Sequence, residues 1–113
     1  MNSIDRPAGV RQGEELPVDV LTEYLRKTLS SPSGTLEISQ FPSGFSNLTY
    51  LVTFGGRDMV LRRPPFGKKA KTAHDMRREY LMLERLKPYF PLCPAPIHLC
   101  TDESVMGCDF YLM

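Results

Sequence analysis

Two consecutive glycines, Gly55 and Gly56, separate two runs whose composition belongs in a sheet. Leu48 to Phe54 is rich in β-branched and aromatic residues. Asp58 to Arg63 sets Val60 and Arg62 on one face and Leu61 and Arg63 on the other. A two-glycine link supplies the positive φ that tight hairpins need, so the runs pair antiparallel. Thr35 to Phe41 alternates through Leu36 and Ile38 and adds a third strand. Its link to the second, Pro42-Ser43-Gly44-Phe45-Ser46-Asn47, is polar and longer than a hairpin needs. The spacing predicts a three-stranded antiparallel meander with one oversized turn.

Helical periodicity flanks the meander. Residues 1–15 are polar, carry Pro7, Gly9 and Gly13, and read as a mobile leader. From Pro17 to Leu29 the residues Val18, Leu21, Leu25 and Leu29 recur at helical spacing, and Ser30 to Gly34 ends that helix. After the meander, Pro64-Pro65-Phe66-Gly67 breaks the sheet and Lys68, Lys69 and Lys71 form a basic loop, read as solvated. Thr72-Ala73-His74-Asp75 reads as a variant cap for a helix running to Lys87, where Pro88 stops it. Ile97–Thr101 and Cys108–Met113 are two further strands, with Asp102, Glu103, Ser104, Met106 and Gly107 as turn residues between them. The last strand is apolar up to Met113, with no cap or charge after it, and is expected to continue into further chain.

At 113 residues this is one small domain, with 42% hydrophobic and 24% charged residues. A net charge of +1 gives no field for nucleic acid or an anionic membrane. No apolar run approaches the ~20 residues of a membrane helix, and the start lacks a secretory h-region. Cys93, Cys100 and Cys108 cannot all pair and contain no C-x-x-C, which places free thiols in a reducing cytoplasm. Cys93, His98 and Cys100 match no zinc signature, and read as small buried residues beside a strand. No metal site is expected from them. His74 reads as a first-turn helix residue and His98 as a strand or loop residue.

One carboxylate stands out. On a helical wheel with Met76 at zero, Tyr80, Met82, Leu83 and Leu86 define an apolar arc, and Glu79 falls inside it at about 300°. A carboxylate on a buried face costs several kcal/mol unless it is paired. Arg62 is the expected partner, being nearer the strand interior than Arg63. Held by Glu79, its remaining donors would point to the Pro42–Asn47 turn. There Gly44 lets backbone N–H groups approach an anion, and Ser46 and Asn47 can donate hydrogen bonds. Each part alone is ambiguous: a glycine turn is commonly a loop, and an Arg–Glu pair is as readily structural. Their joint order, turn then strand base then helix acid, points to a phosphate site.

The strings Gly44-Phe45-Ser46-Asn47-Leu48-Thr49-Tyr50, Val60-Leu61-Arg62-Arg63-Pro64-Pro65, Arg78-Glu79-Tyr80 and Phe110-Tyr111-Leu112-Met113 carry a resemblance over Leu36 to Met113. The chain resembles the amino-terminal lobe of the aminoglycoside phosphotransferase and choline-kinase-like family. It is most similar to the phosphotransferase domains related to acyl-CoA dehydrogenase fusions. The resemblance implies an α+β, protein-kinase-like amino-terminal lobe over residues 16–113, a five-stranded antiparallel sheet with one packed helix and a leading helix, stopping before the hinge and catalytic lobe. It implies that Gly44, Ser46 and Asn47 cover the phosphates of ATP, that Arg62 takes the phosphate-binding lysine position, and that Glu79 is its helix partner. Met113 would fall just before the hinge that contacts adenine.

Two departures are plain: arginine replaces lysine, and the loop lacks the three glycines of protein kinases. By the resemblance, the catalytic Asp and the Mg²⁺ ligands belong to a second lobe, as does the pocket for a small-molecule hydroxyl acceptor. The 113 residues alone are then expected to be inactive, with no catalytic residue of their own. The alternative reading is a non-catalytic nucleotide-binding or protein-interaction module, a degenerate kinase in which Arg62 marks lost activity. A weaker third is a β-rich scaffold with no ligand.

Overall fold

The computed structural model describes residues 7–29, 34–42, 47–66, 70–92 and 94–113, with side chains described except at 70–75. Its elements run α1 (Val18–Thr28), β1 (Glu37–Gln40), β2 (Leu48–Phe54), β3 (Arg57–Arg63), α2 (Ala70–Leu86), β4 (His98–Cys100), α3 (Glu103–Met106) and β5 (Phe110–Leu112). The sheet has five antiparallel strands in the order β1-β2-β3-β5-β4. Gly55 and Gly56 turn β2 into β3 with φ of 61° and 77°, both in the left-handed region where a Cβ would be strained. The last strand therefore inserts between β3 and β4.

Alternation along β2 decides where the core lies. Leu48, Tyr50, Val52 and Phe54 are buried, while the residues between them are half-exposed. On β3 the buried set is Met59, Leu61 and Arg63. These faces meet Leu21 and Leu25 of α1, Val105 of α3, and Phe110 and Leu112 of β5 in one cluster. Leu21 and Leu25 are four residues apart, so one side of α1 lies over the sheet. Tyr24, also on α1, meets Phe110 edge-on at 6.0 Å, and its hydroxyl lies 2.5 Å from His98 Nε2 on β4. Of the two long helices, α1 is the one whose residues enter the main core cluster.

The second helix packs less than the wheel suggests. Met76 is fully buried and Glu79, Tyr80 and Leu83 are half-buried, but Met82 and Leu86 are 53% and 36% exposed. Only the upstream part of the apolar arc is covered. The predicted cap also moves: α2 begins at Ala70, so Thr72 is a helical residue rather than its cap. The expected turn between the last two strands is instead a helical turn. Asp102 caps α3, accepting from Ser104 N at 2.9 Å, and Gly107 closes it at φ 85°.

Within the segment read as a leader, residues 7–15 lie against the free edge of β1. Ala8 and Gln40 exchange both backbone hydrogen bonds at 2.8 Å. Gln40 is 1% exposed; its side-chain Oε1 accepts from Arg11 N and its side-chain Nε2 donates to Glu14 Oε1, each at 2.8 Å. Tyr50 O–H donates to the Glu14 carbonyl at 2.7 Å, and burial pushes its phenol up to about 12. The β1 edge is thereby covered at Gln40, which narrows the surface open to edge-to-edge association.

Candidate functional site

The register sets three side chains in one row across the sheet. Thr49 of β2 lies opposite Arg62 of β3, and Arg62 lies opposite Tyr111 of β5. Arg62 alternates with the core-facing Leu61 and Arg63, so the row faces away from α1. Arg63 on the core face is 4% exposed; its guanidinium lies 3.6 Å over the Phe66 ring, and its Nε donates to the Pro64 carbonyl. Of the two arginines, Arg62 is the one that reaches α2.

Glu79 closes over the row. Arg62 Nε donates to Glu79 Oε1 at 2.9 Å and Arg62 Nη2 to Oε2 at 3.3 Å, a side-on fork. Asn47 Nδ2 donates to Oε2 at 2.8 Å, and Tyr111 O–H donates to Oε1 at 2.8 Å. Arg62 Nη1 donates to Thr49 Oγ1 at 3.0 Å. Neither charge is deeply buried, at 27% exposure for Arg62 and 31% for Glu79. Glu79 is therefore not the desolvated carboxylate that the wheel suggests, but a half-open one with every acceptor position filled. Of the guanidinium's five N–H groups these bonds use three, so among the described residues one on each terminal nitrogen is uncommitted.

A cavity of about 300 Å³ is lined by Arg62, Glu79 and Tyr111 and by the apolar Met82, Leu83 and Met113. Met113 is held there by two backbone hydrogen bonds to Val60, each 2.9 Å. A larger depression, about 520 Å³, lies on the outward side of α2 between Arg78, Leu81 and Arg85. It shares Met82 and Leu86 with the first but none of the cluster's polar groups.

The expected residues divide accordingly. Asn47, Arg62 and Glu79 come together as one hydrogen-bonded cluster, and Asn47 joins through the carboxylate. Gly44 and Ser46 lie outside the described residues, as do Lys68, Lys69, Cys93 and the side chains of Lys71 and His74. His98 stands in β4 against Tyr24, remote from the row, and its imidazole is held below the ordinary range by burial. Cys100 and Cys108 are buried free thiols, and no His, Cys, Asp and Glu grouping suited to a metal occurs among the described residues. Sequence reasoning missed Thr49 and Tyr111. Both lie in the strings quoted for the resemblance, but only the pairing of β3 with β2 and with β5 sets them beside Arg62.

The fold has a solved counterpart. A structure from Ralstonia eutropha, described as a "putative aminoglycoside phosphotransferase", superimposes with a TM-score of 0.69 at 28% identity, over 88% of this chain and 27% of that one. The α+β sheet and helices are thus those of a kinase-like amino-terminal lobe. A family model for the phosphotransferase enzyme family matches residues 37–113, and the chain belongs to that family. Among curated proteins it is 37% identical to mouse acyl-CoA dehydrogenase family member 10, over 92% of this chain and 10% of that protein. It is also 37% identical to chicken acyl-CoA dehydrogenase family member 11, over 92% and 14% respectively. The chain thus spans about a tenth to a seventh of the length of these relatives.

Proposed function

We propose that this chain is the nucleotide-binding lobe of an ATP-dependent phosphotransferase that acts on a hydroxyl of a small molecule. One observation carries the reading: Glu79 holds Arg62 side-on through Nε and Nη2 and Thr49 takes one N–H of Nη1, so one N–H on each terminal nitrogen stays uncommitted among the described residues. A fork of that kind matches phosphate oxygens, and a fixed guanidinium loses little freedom on binding them. Gly44, Ser46 and Asn47 are the residues we assign to the phosphates from above, with Arg62 and Glu79 below. Met113, which lines the same cavity, is assigned to the adenine side.

The chemistry of transfer is assigned elsewhere. Phosphoryl transfer of this type uses an Asp base and carboxylate or amide ligands for Mg²⁺. These 113 residues contain no His-x-Asp segment, and we assign the base, the Mg²⁺ ligands and the acceptor pocket to other parts of a longer, cytoplasmic protein. ATP supplies the transferable phosphoryl group and Mg²⁺ neutralises its charge. This chain's residues bind and orient the phosphates.

Titration of the isotope-labelled chain with MgATP, read by amide NMR, tests the reading. The expected result is saturable shifts centred on Gly44, Ser46, Asn47 and the Arg62 side chain at millimolar nucleotide or below. Shifts confined to α1, or none from a well-dispersed spectrum, would contradict it and favour the scaffold.

A further inference from the structure

Glu79 accepts four hydrogen bonds, two on each oxygen, from Arg62, Asn47 and Tyr111. A carboxylate offers about four lone-pair positions, so this one is full. The donors differ in kind. Arg62 is a long charged side chain, 27% exposed, and Asn47 borders the turn at the start of β2. Tyr111 is neutral, 2% exposed, carried within β5, and braced by an edge contact to Tyr80 of α2 at 5.9 Å. Burial and the adjoining Glu79 carboxylate hold its phenol well above the ordinary range, so it remains an O–H donor wherever the chain is folded.

We propose that Tyr111 is a positioning residue for the anion-binding face of Arg62. Its hydroxyl occupies one lone pair of Glu79 Oε1 and leaves a single place there for Arg62 Nε. The guanidinium must then present its Nε–Nη2 edge to the helix, which keeps Nη1 on Thr49 and leaves its second N–H unspent. Without the hydroxyl, the carboxylate can rotate and take the guanidinium end-on through both terminal nitrogens. That arrangement draws Nη1 off Thr49 and spends the N–H groups an anion would use. A neutral donor suits the task, because it fixes the carboxylate without competing for its charge. The inference rests on the reading of the Arg62 row as a phosphate site, and extends it to a residue outside the turn, strand and helix pattern.

Tyr111→Phe removes one O–H and keeps the ring, its burial and its contact with Tyr80. Two readouts on the labelled chain test it: the Arg62 Nε–H resonance without nucleotide, and the affinity for MgATP. We expect the variant to retain its amide dispersion while the Arg62 Nε–H signal shifts and exchanges faster. MgATP affinity should fall about five- to tenfold, the equivalent of one hydrogen bond. Tyr80→Phe should change neither. An unchanged Arg62 Nε–H signal in Tyr111→Phe would overturn the proposal, as would equal MgATP affinity in a wild-type chain that binds it. If that signal moves but the wild-type chain binds no MgATP, the positioning role stands and the nucleotide reading fails.

Discussion

At the scale of the residue, an acid on an apolar arc proved informative for what it accepts rather than for how deeply it is buried. Glu79→Ala removes the acceptor for two Arg62 bonds, one Asn47 bond and one Tyr111 bond. It should cost about 1–3 kcal/mol in denaturant unfolding, since donors lose their partners in a half-buried site. Glu84→Ala, on the exposed side of the same helix, should stay within about 0.5 kcal/mol. Equal losses would contradict the cluster. His98 gives a pH prediction. Burial holds its folded-state imidazole below the ordinary 6.5, so the unfolded chain takes up a proton first as pH falls. The contribution is complete above about pH 7 and declines as pH drops through 6.5 toward the lowered folded value. Between pH 7.5 and 5.5, wild type should therefore lose more melting temperature than His98→Gln.

Elements divide into those the sequence announces and those it does not. The hairpin β2–β3 was legible from Gly55-Gly56, and Leu48–Phe54 is the strand expected, because two-residue turns and period-two alternation are local signals. The close approach of Gly34 was not, since it depends on where the hairpin tip lands. At Gly34, φ is 115°, and a Cβ would fall 2.9 Å from Gly55 backbone atoms. Gly34→Ala should thus cost about 2 kcal/mol or more, whereas Gly56→Ala, with open space around it, should cost about 1 kcal/mol of conformational strain. Thermal unfolding of the pair checks the order. The wheel of α2 gave directions but not coverage. Met76, at its zero, is the residue fully buried, so Met76→Ala should cost about 2 kcal/mol, and Met82→Ala under about 0.5.

For the whole molecule, strand order carries what the sequence hides. Placing β5 between β3 and β4 brings Tyr111 beside Arg62, a neighbour 49 positions away that no local pattern foretells. The pairing of Arg62 with Glu79 was legible because a charge on an apolar arc demands an opposite charge nearby. The filling of the carboxylate by Asn47 and Tyr111 was not, because hydroxyl and amide donors leave no such signature. The proposed function requires that the Arg62 row meet phosphate, not base or sugar. Affinities of wild type and Arg62→Gln for MgATP and for adenosine, measured side by side, test it most directly. Arg62→Gln should lose about tenfold or more for MgATP, the worth of a charge-assisted fork, while adenosine binding is unchanged. Equal loss for both ligands, or none for MgATP, would contradict it.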